Sequence, residues 1–182
     1  QDPAFAPHRR DARWADLGTG SGAMAIALAR ALTGWHGHAV DLSPAALELA
    51  QINLRRLAPE GGCQLHLGHW WTPLRPWWGH FDLVVSNPPY INNIDLKRLD
   101  NDVRLYEPSI ALKAGLDGLD IIEKLILKSK KLLKNRGKLI FEFGKNQITD
   151  VTKILRKNNF YIDEIQKDIY ALPRVVISTN LN

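Results

Sequence analysis

The chain has 182 residues, 45% hydrophobic and 24% charged, with a formal net charge of +5. That suits one soluble globular domain with a sizeable core. The single cysteine, Cys63, excludes an internal disulfide and makes no metal site alone, and the longest apolar run, Ala23 to Leu32, is too short for a membrane span and carries Arg30. A reducing, cytoplasmic setting is the expectation. Residues 1–11 read as a leader or linker remnant without functional weight, and 12–182 as one domain.

Trp14 to Leu17 reads as a short strand that runs into the glycine turn Gly18-Thr19-Gly20-Ser21-Gly22. Met24 to Leu32, rich in Ala and Leu, predicts a helix. His38 to Val40 predicts a strand ending at Asp41. Ser43 and Pro44 are good residues for a helix N-cap and first turn, and the helix they open carries Ala46, Leu49, Ala50, Leu54 and Leu57 at helical spacing. Cys63 to Leu67 and Phe81 to Ser86 are the third and fourth strands, the latter meeting Asn87-Pro88-Pro89-Tyr90.

From Ile91 to Gly115 the pattern is irregular, as a substrate-facing insertion would be. Asp117 to Lys134 predicts a helix with Ile121, Ile122, Leu125, Ser129, Leu132 and Leu133 on one side, and Asn135-Arg136-Gly137 a turn. Lys138–Phe143, Phe160–Gln166 and Arg174–Thr179 predict strands, with a helix over Gln147–Lys157. The alternation implies an α/β fold with a largely parallel sheet and an antiparallel hairpin at one edge.

The glycine turn is the first chemical signal. Gly18, Gly20 and Gly22 let the backbone turn sharply and approach a ligand without a Cβ in the way. The turn opens a helix, whose free N–H groups would suit a pyrophosphate or the carboxylate of a methionine moiety. No Lys follows the glycines, which argues against a P-loop. The spacing is G-x-G-x-G, not the G-x-G-x-x-G of a dinucleotide site. Asp41, at the tip of the next strand, would accept from both ribose hydroxyls of an adenosyl cofactor, and Trp70 would stack on the adenine. Asp16, Thr19 and Leu42 flank these positions and complete the candidate cofactor set.

The second signal is Asn87-Pro88-Pro89-Tyr90. An amide nitrogen is a poor nucleophile, so a catalyst acting on one must mainly orient it. The Asn87 side-chain oxygen and the Pro88 carbonyl can each accept one N–H of a planar NH2 group, and Tyr90 offers a flat apolar wall. Proline has no N–H, so the turn presents acceptors. Asn87, Pro88 and Tyr90 are therefore the candidate catalytic set, with Asn87 also beside the cofactor. Together the two motifs imply methyl transfer from S-adenosylmethionine to an amide or amino nitrogen.

Other features point less far. His36 and His38 share one side of a strand but lack a third ligand at metal-site spacing, so no metal is expected. Lys124, Lys128, Lys130, Lys131 and Lys134 read as a solvated helix face rather than a nucleic-acid patch, because acids dot this half and no aromatics interleave. A compositional break falls after Tyr90. All six Trp and all six His precede it, all twelve Lys follow it, and Ile appears twice before and thirteen times after. It reads as a junction between two related genes of different base composition.

Asn87-Pro88-Pro89-Tyr90-Ile91, then Asp102-Val103-Arg104-Leu105-Tyr106-Glu107-Pro108 with Ala111-Leu112, Leu139 to Gly144 and Arg174-Val175-Val176, resemble the HemK/PrmC family of class I S-adenosylmethionine methyltransferases. The likeness covers roughly residues 12–180. It implies a seven-stranded Rossmann-like catalytic domain and methylation of the glutamine side-chain nitrogen in the Gly-Gly-Gln motif of peptide chain release factors, with S-adenosylhomocysteine as product. By the same resemblance Gly18, Gly20, Asp41 and Trp70 hold the cofactor, and Asn87, Pro88 and Tyr90 the glutamine. His69 departs from the acidic or small residue common before the Trp. The small helical domain that usually begins such proteins is absent from this sequence, which reads as an isolated catalytic domain. Two other readings stand: an adenine-N6 nucleic-acid methyltransferase, which shares the Asn-Pro-Pro-Tyr logic, and a module that binds the cofactor without turnover.

Overall fold

The computed structural model describes residues 11–88, 119–144 and 146–182. Its elements are β1 (Arg13–Leu17), α1 (Ala23–Ala31), β2 (His36–Asp41), α2 (Pro44–Leu57), β3 (Cys63–Leu67), a 3-10 turn (Thr72–Trp77), β4 (Phe81–Ser86), α3 (Asp120–Leu132), β5 (Leu133–Glu142), α4 (Ile148–Lys157), β6 (Phe160–Lys167) and β7 (Pro173–Asn180). The strands form one seven-stranded sheet in the order β3-β2-β1-β4-β5-β7-β6. β1 to β5 pair in parallel, and β7 lies antiparallel between β5 and β6. The expected α/β architecture with its antiparallel edge hairpin is therefore present. The irregular segment expected over Ile91–Gly115 lies outside the described residues, as do Pro89 and Tyr90.

Alternation along the inner strands sorts their side chains to two faces. Ala15, Leu17, Val84, Leu139 and Phe141 pack with Ile122, Leu125 and Ile126 of α3 and with Val151 and Leu155 of α4. Trp14, Ala39, Leu83 and Val85 pack with Ala25 and Ala29 of α1 and Leu54 of α2 on the opposite face. Helices thus cover both sides, as a parallel sheet requires. The Trp14 ring packs against Gly37, so that a Cβ built there would collide with its Cζ2. Only glycine fits that neighbour strand position.

Ser43 caps α2 as expected, its hydroxyl accepting from Ala46 N–H at 3.3 Å, with Pro44 in the first turn. The apolar stripe expected on α2 is only half used. Ala50 and Leu54 are buried, but Leu49 and Leu57 are each nearly half exposed. The reason is position: α2 lies over β2 and β3 at the end of the sheet, where less apolar surface is available to cover it.

The second difference is at Asn135-Arg136-Gly137. These residues do not separate a helix from a strand; they form an irregularity within β5. The register jumps from Phe81–Leu133 to Leu83–Lys138, and Arg136 adopts φ 64°. Gly137 is hemmed in by the Phe81 and Lys134 carbonyls, so the extra residues bulge over β4. Beyond the bulge, Val84–Leu139, Val85–Ile140 and Ser86–Phe141 pair across the compositional break. Lys134 and Asp82 also meet across it at 2.8 Å.

The tryptophans weld the two halves further. Trp70, Trp71, Trp77 and Trp78 all pack against the α3-side core. The ammonium groups of Lys128 and Lys131 lie 5.9 and 5.8 Å from the centroids of the Trp71 and Trp78 rings. Part of the lysine face of α3 is thus a cover for aromatic rings rather than purely solvated.

Candidate functional site

Parallel strands end on the same side of a sheet, and in open α/β folds that C-terminal edge is where ligands bind. Here four strand ends meet. The glycine turn follows β1, Asp41 ends β2, Trp70 follows β3, and Asn87-Pro88 follows β4. β1 and β4 are neighbours in register, Leu17 opposite Ser86, and Ser86 Oγ donates to the Leu17 carbonyl at 2.8 Å. The glycine turn and Asn87-Pro88 therefore leave the sheet one strand spacing apart, about 5 Å.

The turn itself is pinned from below. Gly18 and Thr19 N–H both donate to the Val40 carbonyl, at 2.9 and 3.0 Å. Gly18, Gly20 and Gly22 hold φ of 76°, 56° and 86°, the left-handed region that glycine enters without penalty. A Cβ on Gly20 would meet nothing within 4 Å, so the middle of the turn borders open space. Gly22 serves as the N-cap of α1 with no side-chain cap. The Ala25 N–H of that helix is taken by Asp16, and the N–H groups before it retain donor capacity, which suits a carboxylate.

Asp41 fixes the other wall. One carboxylate oxygen accepts from Gly20 N–H at 2.8 Å and the other from Ser43 N–H at 2.9 Å. Each keeps a lone pair for a ligand hydroxyl. Leu42 beside it is half exposed. Trp70 stands across the turn, its Cζ3 4.0 Å from where a Gly18 Cβ would lie, and its ring stacks on Trp71. Its φ of 51° is unusual for a bulky residue, so the surroundings hold it in place. His69 is exposed and meets Trp70 and Trp71 edge-on.

Asp16 lies beneath the turn, fully buried. Its Oδ2 accepts from the Thr19 hydroxyl at 2.6 Å, and the Ala25 N–H in the first turn of α1 also points at the carboxylate. Burial pushes its carboxyl up to about 6, against the pull of the Thr19 and Ala25 bonds, and the Asp41 charge adds to the rise. Asp41, helix-terminal N–H donors and the Trp70 ring border the turn, with the Asp16 carboxyl buried beneath it. This donor set suits a ligand with hydroxyls, a carboxylate, a positive charge and a flat base.

The structure thus gathers Asp16, Gly18, Thr19, Gly20, Gly22, Asp41, Leu42 and Trp70 around the turn, with exposed Asn87 and buried Pro88 beside it. Tyr90 lies outside the described residues. Two residues that sequence reasoning passed over hold the arrangement: Ser86, through Leu17, and Asn53, whose amide donates to the Ser21 carbonyl at 2.9 Å. Both bond to backbone carbonyls brought near only by folding, so no local pattern marks them.

Of the two histidines of β2, one finds its partner on the neighbouring strand. His38 is buried and its partner is His66 on β3, Nδ1 to Nε2 at 3.0 Å, while His36 is exposed. Trp77 and Phe81 enclose the His38 ring, and burial lowers its pKa to about 4. Among the described residues, no group of three His, Cys, Asp or Glu could hold a metal. No helix among them is long and apolar enough to cross a membrane.

Comparison with known proteins bears on this geometry. The methyltransferase small domain family model matches residues 4–101, and the Eco57I restriction-modification methylase model matches residues 63–171. A protein named release factor glutamine methyltransferase from Prochlorococcus marinus is 46% identical over 162 residues, covering 89% of this chain and 55% of that protein. One of the same name from Synechocystis is 38% identical over 180 residues, covering 98% and 60%. The chain therefore spans little more than half the length of these relatives. Among solved structures, a ribosomal protein L11 methylase from Lactobacillus delbrueckii superposes with TM-score 0.67 at 22% identity, covering 93% of this chain and 70% of the other. A methyltransferase from Pyrococcus furiosus gives 0.67 at 17%, covering 96% and 78%. The fold is that of the class I methyltransferases, and the chain belongs to the methyltransferase small domain family.

Proposed function

We propose that this chain transfers a methyl group from S-adenosylmethionine to the side-chain nitrogen of the glutamine in the Gly-Gly-Gln motif of peptide chain release factors, in the cytoplasm. The observation that carries the reading is the adjacency of two strand ends. The glycine turn and Asn87-Pro88 emerge side by side from β1 and β4, so a donor cradle and an amide clamp share one site. The names of the two release factor glutamine methyltransferases above supply the acceptor.

When bound, the cofactor supplies an activated sulfonium methyl. Asp41 accepts from its ribose hydroxyls while staying fixed by the Gly20 and Ser43 N–H groups. Thr19 and Asp16 brace the turn, and Trp70 stacks on the base. Asn87 Oδ1 and the Pro88 carbonyl accept the two N–H bonds of the glutamine amide and orient its nitrogen. Tyr90 walls the acceptor. Transfer leaves the nitrogen with an excess proton that is acidic enough to pass to water, so no strong base is needed.

A second reading, adenine-N6 methylation of nucleic acid, draws on the match to the restriction-modification methylase model over residues 63–171. Against it, the basic groups of α3 cover tryptophan rings or stand among acids, and the site's described surroundings carry no basic stripe. Labelled methyl transfer decides between them. The acceptors are a release factor, the same factor with its Gly-Gly-Gln glutamine replaced, and DNA. Label in the first alone supports the proposal; label in DNA, or equal label in both factors, contradicts it.

A further inference from the structure

Three large apolar side chains crowd the tip of the β6–β7 hairpin and face solvent. Ile169 is 92% exposed, Tyr170 77% and Leu172 40%. Single exposed apolar residues are ordinary, but three within four positions are not, because each forgoes the gain of burial. The tip is also firmly built. Asp168 Oδ1 accepts from the Tyr170 and Leu172 N–H groups at 2.9 and 3.1 Å, and Oδ2 accepts from Arg174 Nε at 3.1 Å. Two backbone bonds close it, Asp168 N–H to Leu172 O at 2.8 Å and Ala171 N–H to Asp168 O at 2.9 Å. Ala171 sits at φ 61°, a conformation that this network imposes. The chain thus holds apolar side chains outward in a fixed shape.

Their place follows from the register. β6 runs parallel to β5, so the turn after it lies at the same end of the sheet as the site. Ser86 is level with Phe141 and Phe141 with Val176, which puts Asn87 level with Val175. Pro173, the base of the tip, is two residues further out, so the tip stands above Asn87 by about 7 Å or more. Sideways, β7 is two strand spacings from β4, about 10 Å, and β6 about 14 Å. A standard protein interface covers about 800 Å² on each partner, a disc of about 16 Å radius. A folded protein that presents a glutamine to Asn87 is therefore large enough to reach this tip.

We propose that Ile169 and Tyr170 are a preformed anchor for the folded body of the protein acceptor, reading it outside the reacting tripeptide. This rests on the release-factor reading above and names a second contact for the same substrate. An apolar knob suits a protein surface, because buried aromatic and aliphatic anchors dominate such interfaces; of the basic groups at this rim, Arg174 is tied to Asp168 and Lys167 stands singly, where a nucleic-acid backbone would call for several.

The test uses the chain with Ile169→Ser and Tyr170→Ser together. Both side chains are exposed and the hairpin's own bonds are backbone or Asp168 bonds, so folding is unaffected. Methyl transfer is followed to an intact release factor and to a short peptide containing Gly-Gly-Gln, and factor binding is measured by calorimetry. The expected result is a rise of about 5- to 30-fold in KM and Kd for the intact factor, with transfer to the peptide unchanged. Unchanged KM for the factor overturns the anchor while leaving the function standing. Equal loss on factor and peptide also overturns it, since the tip would then act through the site. A variant that changes the chain's own oligomeric state and not factor affinity assigns the tip to self-association and overturns it likewise. A wild-type chain that neither methylates nor binds the factor overturns both the anchor and the function beneath it.

Discussion

Asp16 gives the account its sharpest quantitative test. Its carboxyl is buried beneath the glycine turn, with burial raising it from 3.8 to about 6. A folded-state value above the unfolded one means the fold favours the protonated form. The stability cost of the ionised form is therefore full above about pH 6 and fades as pH falls toward 3.8. A shift of about two units corresponds to ~3 kcal/mol, a large share of the roughly 5–15 kcal/mol that holds a domain together. Asp16→Asn keeps the size and an oxygen for Thr19 but removes the charge. Denaturant unfolding of the cofactor-free chain should show the variant more stable than wild type by about 2–3 kcal/mol at pH 8, with the difference gone near pH 4. Cofactor affinity should move the other way, falling in the variant and, in wild type, rising as pH passes upward through 6, because a positive ligand favours the ionised carboxylate. A variant no more stable than wild type at pH 8 would refute the claim that Asp16 is held ionised at a cost to the fold.

The remaining expectations concern the cradle, the clamp and the compositional break. Asp41→Ala should weaken cofactor binding by about 2–4 kcal/mol, through two lost charge-assisted hydrogen bonds, and calorimetry would show an unchanged dissociation constant if the ribose assignment is wrong. Asn87→Ala should lower turnover about 100–1000-fold while leaving cofactor affinity near wild type; survival of turnover within a few-fold removes the amide clamp. We propose that the break after Tyr90 is a gene junction, with β4 and β5 contributed by different parents. Misfit side chains typically cost about 1–3 kcal/mol per site, so chemical denaturation should find this chain less stable than either unbroken parent and stabilised by cofactor. Stability equal to or above both parents counts against the mismatch.

Much of this was legible in sequence because it is local. Strand periodicity, the Ser43-Pro44 cap and the glycine spacing each lie within a few residues, and together they placed Asp41 at a strand tip beside the turn. The parts that were not legible depend on tertiary partners. The bulge at Arg136 arises from the pairing of β5 with β4, and a non-glycine residue at positive φ gives no local signal. His38 finds His66 only because β2 and β3 are neighbours in the sheet. The apolar stripe of α2 correctly marked a helix but overstated its burial, since periodicity reports a face and not how much sheet lies beneath it. The lysines of α3 looked solvated because their tryptophan partners come from the other half of the chain.

The central claim is that one site on this chain joins a methyl donor to a glutamine amide. Tandem mass spectrometry of a release factor incubated with the chain and S-adenosylmethionine tests it most directly. The expected result is one added methyl, on the side-chain nitrogen of the Gly-Gly-Gln glutamine, absent when Asn87 is replaced by Ala. A methyl on any other atom of the factor, or none on that glutamine while the chain binds cofactor, would contradict it.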